Sequence, residues 1–164
     1  MDVLPDLLAP GLPLVFCGSA AGTASARAGA YYAGPGNVFW EALYEVGLTP
    51  EPLAPDEFHR LLDFGIGLTD LCKVRHGSDL EIGGHYDVDR LREAIAAAEP
   101  TRLAFNGKSA AQATFEAQLG YGVQEETIGG AEVWVLPSTS GAARRFWKLE
   151  PWRQLAEAIA GDPR

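Results

Sequence analysis

The sequence predicts an α/β fold: a three-layer α/β/α sandwich built on a central, mainly parallel sheet of about four strands. Three observations predict it. Short apolar runs at Leu14 to Cys17, Thr101 to Phe105 and Glu132 to Leu136 are bounded by Gly or Pro, the pattern of strands covered on both faces. Stretches of helical periodicity, each about ten residues long, alternate with them, which is the length a crossover between parallel strands requires. No linker or internal repeat divides the 164 residues, so 1–164 reads as a single domain.

The first strand, Leu14 to Cys17, runs into a loop of small residues, Gly18-Ser19-Ala20-Ala21-Gly22. Backbone N–H groups near Gly18 and Gly22 can approach a flat polar ligand closely, and Tyr31 or Tyr32 offers a ring face on which it can stack. Asn37 is placed to cap a helix reaching Val46, in which Phe39, Trp40, Leu43 and Val46 recur at helical spacing until Gly47 stops it. Leu53 to Asp63, Val88 to Ala98, Gly107 to Gln118 and Pro151 to Ile159 read as further helices. Gly65 to Leu71 is a strand or a turn, and it carries Asp70 at its end. Ligands of parallel sheets bind beyond the carboxyl ends of the strands, so the loops after Cys17, Phe105 and Leu136 should share one rim.

Composition narrows the function. Hydrophobic residues at 47% and charged residues at 21% are typical of a soluble globular protein. No apolar run approaches the roughly 20 residues that span a bilayer, and Asp2 and Asp6 occupy the place of a basic secretory region, so a cytoplasmic location without a membrane partner is expected. The net charge of −9 removes long-range attraction to nucleic acid, yet the acidic residues concentrate at Glu41 to Asp63 and Asp79 to Glu99. Arg144, Arg145 and Lys148 stand together, forming either a local patch for phosphates or a solvated turn. Cys17 and Cys72 fit no disulfide framework or metal motif and read as core residues.

Familiar chemical motifs are absent. The first loop does not match G-x-G-x-x-G, and Asn106-Gly107-Lys108-Ser109 fails as a P-loop because Arg102 stands where its first glycine belongs. Lys108 at that helix start is left to hold one phosphate or to cap the helix. His59, His76 and His85 have no metal-ligand spacing, and a triad drawn from His76, Ser78 and Asp79 lacks a G-x-S-x-G elbow. The third loop, Ser138-Thr139-Ser140-Gly141-Ala142-Ala143-Arg144-Arg145, combines hydroxyls, a glycine and two cations, which suits a phosphate backbone or an ordinary capped turn.

Taken in order, these loops resemble the uracil-DNA glycosylase superfamily. Val15-Phe16-Cys17-Gly18 with Gly22, and Gly47-Leu48-Thr49, look like the mismatch-specific branch. Tyr31-Tyr32-Ala33-x-Pro35-x-Asn37-x-Phe39-Trp40, Phe105-Asn106-Gly107 and Leu136-Pro137-Ser138-Thr139-Ser140 look more like the hypoxanthine-DNA glycosylase branch. The resemblance spans nearly the whole chain. It implies hydrolysis of the N-glycosidic bond of a damaged base flipped out of DNA, with no metal or organic cofactor. It also implies that Gly18, Ser19 and Ala20 line the base pocket, that Tyr32 stacks on the base, and that Ser25 contacts phosphate. Ser138, Thr139, Ser140, Gly141, Ala142, Arg144 and Arg145 then form the loop that presses into the duplex.

Two positions depart from the pattern. Ala20 stands where the mismatch-specific branch has a water-positioning asparagine, and a methyl group cannot orient water. Asn37 and Asp70 are the replacement candidates: an amide from the Pro-x-Asn-x-Phe-Trp motif, which otherwise caps the helix or bonds a base edge, and a carboxylate able to accept a proton or stabilise a developing oxocarbenium ion. Ala142 replaces a bulky wedge, leaving Arg144 or Arg145 to fill the gap in the duplex. The expectation is a monomeric, monofunctional glycosylase for uracil, with breadth toward hypoxanthine or xanthine. Its partners are DNA bearing such a base and the abasic product. No lysine lies in the pocket motifs, so no lyase step is expected. The competing expectation is a module that binds lesions or abasic sites without cutting them.

Overall fold

A computed structural model describes residues 1–163. Among these residues five strands form one sheet: β1 (Leu14–Gly18), β2 (Ile66–Asp70), β3 (Arg102–Asn106), β4 (Gly122–Ile128) and β5 (Ala131–Leu136), in spatial order β2-β1-β3-β5-β4. β2, β1, β3 and β5 are mutually parallel, as the apolar runs predict, and Gly65 to Leu71 resolves into a strand. The sheet has one strand more than the sequence suggested. β4 pairs antiparallel with β5 through the two-residue turn Gly129-Gly130, whose positive φ values of 54° and 82° suit a tight hairpin. β4 gives no strand signal in the sequence because it is a mostly exposed edge strand, Gly-Val-Gln-Glu-Glu-Thr-Ile, without an apolar run.

Every residue of β1, β2 and β3 is buried, because helices cover both faces of the sheet. The side chains alternate between two cores. Leu14 and Phe16 of β1 pack with Phe39, Leu43, Leu68 and Trp152 on one face, whereas Val15 and Cys17 pack with Leu91, Ile95, Leu103 and Phe105 on the other. The helices are α1 (Thr23–Ala28), α2 (Phe39–Glu45), α3 (Asp79–Ile82), α4 (Val88–Ala98), α5 (Lys108–Phe115) and α6 (Glu150–Ala160). α1 and α3 are short rim elements that periodicity could not reveal. The predicted helix at Leu53 to Asp63 is instead a 3₁₀ segment, Pro55–Phe64, and a second one, Gly141–Phe146, follows β5. The N-terminal segment runs antiparallel beside β2, with Leu7 and Leu68 exchanging backbone hydrogen bonds at 2.9 and 2.8 Å.

The register aligns the ends that matter. Gly18 pairs with Asp70, Cys17 with Phe105, and Asn106 with Leu136, so four parallel strands finish at one edge. The loops that follow them gather there.

Candidate active site

A cavity of about 630 Å³ opens at that edge. Its lining includes Gly18, Ser19, Ala20, Ser25, Tyr32, Asn37, Asp70, Lys108, Ser138, Thr139, Ser140, Gly141 and Ala142, so thirteen of the fifteen residues singled out in the sequence meet in one place. Arg144 and Arg145 do not line it. Arg144 is exposed and its Nη2 donates to the Gly36 carbonyl at 3.1 Å, while the Arg145 guanidinium lies 4.7 Å from the centre of the Phe146 ring. Phe146, which no sequence motif marks, also lines the cavity and is exposed.

The first loop is fixed from behind. The carbonyls of Gly18, Ser19 and Ala21 accept hydrogen bonds from Leu71, Cys72 and Gly77 at 2.8, 2.7 and 2.9 Å. The N–H groups of Ser19, Ala20 and Ala21 donate to no group among the described residues, which leaves them open to solvent or a ligand. Ala20 adds only a methyl group, as the sequence indicated.

Asp70 ends β2 and is buried. A Cβ built on Gly18 would meet Asp70 Oδ1 at 2.7 Å and the Tyr32 hydroxyl at 3.2 Å, so both oxygens occupy the space left by the missing side chain. Burial raises the Asp70 pKa to about 6, with Asp6 adding to the rise and Lys73 and Arg90 opposing it. Such a carboxyl changes charge near neutrality, a property suited to proton transfer.

Tyr32 holds a left-handed backbone, φ 53°, a conformation uncommon in bulky residues. Its ring stacks on Phe39 at 4.0 Å between centroids, and Phe39 packs in turn against Phe16 and Trp152. The aromatic platform is thus anchored in the core. The Tyr32 hydroxyl is buried and has no hydrogen-bond partner among the described residues. Its pKa is raised well above that of a free phenol by burial and Asp70, with the Asn106 amide acting in the opposite sense. Tyr31, the alternative stacking residue, is buried, and its hydroxyl donates to the Pro5 carbonyl at 2.8 Å.

Asn37 is half-buried, one residue before the N-cap of α2, and its Oδ1 accepts the Phe39 N–H at 3.0 Å. The capping contact foreseen from the sequence therefore exists, made from one position further out. It uses one of two oxygen lone pairs, and Nδ2 donates to no group among the described residues. Asn37 thus has both roles open to it, the structural one and a polar one facing the cavity.

Other expected DNA contacts are committed within the protein. Thr139 is buried; its N–H donates to Asn106 Oδ1 at 3.0 Å and its Oγ1 accepts from Asn106 Nδ2 at 2.9 Å. Asn106, of the Phe105-Asn106-Gly107 motif, therefore locks the third loop to the end of β3. Ser25 is buried and its Oγ accepts the Ala33 N–H at 3.0 Å. Ser138 and Ser140 accept the N–H groups of Ser140 and Ala142 at 3.2 and 3.3 Å. Lys108 starts α5 with its Nζ 4.4 Å from the Tyr121 ring centre, so a lysine does line the cavity even though the pocket motifs themselves contain none. Among the described residues no group of three or more His, Cys, Asp or Glu is placed to hold a metal ion.

The model of the uracil-DNA glycosylase superfamily matches residues 5–157. The chain belongs to that superfamily. The solution NMR structure of a candidate uracil DNA glycosylase from Methanosarcina acetivorans is similar over 96% of both chains, with 26% identity and a TM-score of 0.71. Superfamily membership makes the chain a DNA glycosylase, a hydrolase of N-glycosyl bonds whose partner is DNA.

Proposed function

We propose that this glycosylase excises uracil from DNA, with breadth toward hypoxanthine or xanthine, by simple hydrolysis that leaves an abasic site. The observation that carries the reading is the meeting of Asp70 and Tyr32 over Gly18 at the inner end of the cavity. In this reading the flipped base lies on Tyr32, and the free N–H groups of Ser19, Ala20 and Ala21 bond its polar edge. Hydrogen bonds from backbone suit several deaminated bases because all present carbonyl oxygens.

The chemistry follows from the two polar side chains that replace the absent asparagine. Loss of the base builds positive charge on the sugar, and an ionised Asp70 stabilises it and accepts a proton from the attacking water. Asn37, with one Oδ1 lone pair and Nδ2 free, holds that water or the base edge. Lys108 is assigned to a backbone phosphate rather than to the sugar, and the serine-rich loop with Arg144 and Arg145 to the duplex.

The test is a panel of uracil, hypoxanthine, xanthine and thymine in single- and double-stranded oligonucleotides, with base release followed by alkaline strand scission. Release of uracil at single-turnover rates above those of the other bases is expected, and strand breaks only after alkali. One feature favours a second reading, a lesion-binding module: Ala20 carries no group that can activate water. Saturable binding to uracil or abasic DNA with no base released would establish it instead.

A further inference from the structure

Four charged side chains from three parts of the chain gather at the end of β2: Asp6 from the N-terminal segment, Asp70 with Lys73 just beyond it, and Arg90 from α4. Asp6 is their hub. Its Oδ1 accepts from the Thr69 hydroxyl at 2.7 Å and lies 2.9 Å from Lys73 Nζ, while its Oδ2 accepts from Arg90 Nη1 at 2.8 Å. Arg90 Nη2 donates to Thr69 Oγ1 at 2.9 Å and to the Asp70 carbonyl at 2.8 Å. Lys73 Nζ also donates to the Tyr31 hydroxyl at 3.1 Å, and its side chain is only 3% exposed.

The count of charges is informative. Lys73 and Arg90 both contact Asp6, which leaves one positive charge over in a largely buried cluster. That excess positive charge favours the ionised form of Asp70 and offsets part, but not all, of the cost of burying it. The other titratable groups facing Asp70 are Cys17 of β1, Tyr31 and Tyr32, and burial keeps all three neutral.

We propose that Asp6, Lys73 and Arg90 are positioning residues that set the charge of Asp70 and hold the end of β2 in place, making the N-terminal segment part of the active site. The catalytic meaning of this proposal rests on the role given to Asp70 above. Its electrostatic content does not.

The experiment compares Asp6→Asn, Lys73→Met and the conservative Lys73→Arg in the full chain. Carbon-detected NMR follows the Asp70 carboxyl through a pH titration, and single-turnover uracil release gives the acid limb of the pH profile. Asp6→Asn removes a neighbouring negative charge and should move both midpoints down by about half a pH unit or more. Lys73→Met should move both up by a similar amount, and Lys73→Arg should leave them near the parent values. Opposite shifts from the two partners of one ion pair are not produced by general loosening. Shifts of the same sign, or none in the titration, overturn the proposal. If Lys73→Met does not fold, the nearly isosteric Asp6→Asn decides alone, and an unchanged or raised midpoint counts against the idea. Should the parent protein release no base, the glycosylase reading of Asp70 fails while the titration still decides the electrostatic claim.

Discussion

Asp70 Oδ1 lies 2.7 Å from the point where a Cβ on Gly18 would sit, with the Tyr32 hydroxyl 3.2 Å from the same point. The glycine is thus required by its neighbours, since its φ is not in the left-handed region and any residue could adopt its backbone. Gly18→Ala should displace Asp70 and lower single-turnover base release by about tenfold or more, the effect expected of a misplaced reacting group. Circular dichroism should show the fold unchanged. Full activity in this variant would remove Asp70 from the chemistry.

Asp70→Asn should separate activity from stability. The Asp70 pKa rises from its ordinary 3.8 to about 6 on folding, so its ionised form opposes folding. That opposition is absent below pH 3.8 and complete above about pH 6, which makes Asn stabilising at pH 8 by about 3 kcal/mol and neutral near pH 3.5. Urea unfolding at the two pH values measures it, alongside a loss of base release. An Asn variant less stable at pH 8 contradicts the burial described here.

Tyr32→Phe removes a hydroxyl that is buried without a partner among the described residues. If the ring works only as a stacking surface, the variant keeps its activity and gains about 1 kcal/mol of stability, whereas Tyr32→Ala loses activity. A marked fall in base release by the Phe variant would assign the hydroxyl to the bound base or water.

Asn37→Asp keeps an oxygen for the Phe39 N–H and discards the Nδ2 donor. Its melting temperature should match that of the parent, while single-turnover release drops by roughly 10²-fold or more. Asn37→Ala should lose the same activity and also about 1 kcal/mol of stability, because the turn before α2 loses its acceptor. Equal activity in parent and Asp variant would leave Asn37 with its structural role alone.

Asn106→Ala should cost about 1–3 kcal/mol by orphaning the buried Thr139 N–H and Oγ1 that it now satisfies. Freed from β3, the third loop should grip duplex DNA less firmly. A fluorescence-anisotropy titration should therefore show weaker duplex binding in Asn106→Ala than in the parent.

Much of the site was legible because four of its loops directly follow buried parallel strands, and apolar runs such as Leu14 to Cys17 announce their own ends. β4 was not legible as a strand, since an exposed edge carries little apolar signal; the Gly129-Gly130 turn was the available clue. The site's polar economy was hidden for a different reason. Thr139 and Ser25 look like free hydroxyls in sequence, but their partners, Asn106 and Ala33, are known only once the strands are aligned. The Asp6–Arg90 pair spans 84 residues, a separation no local pattern encodes.

The segment from Gly34 to Val38 and the loop after β5 meet directly: Val38 N–H donates to the Thr139 carbonyl at 3.0 Å and Arg144 donates to the carbonyl of Gly36. Two stretches about a hundred residues apart in sequence therefore make a single lip over the cavity. The two sides of this lip share hydrogen bonds, so neither can be altered alone: a substitution in the Gly34-Pro35-Gly36-Asn37 turn is also a change to the serine-rich loop, and the effects of the two on one rim should not add.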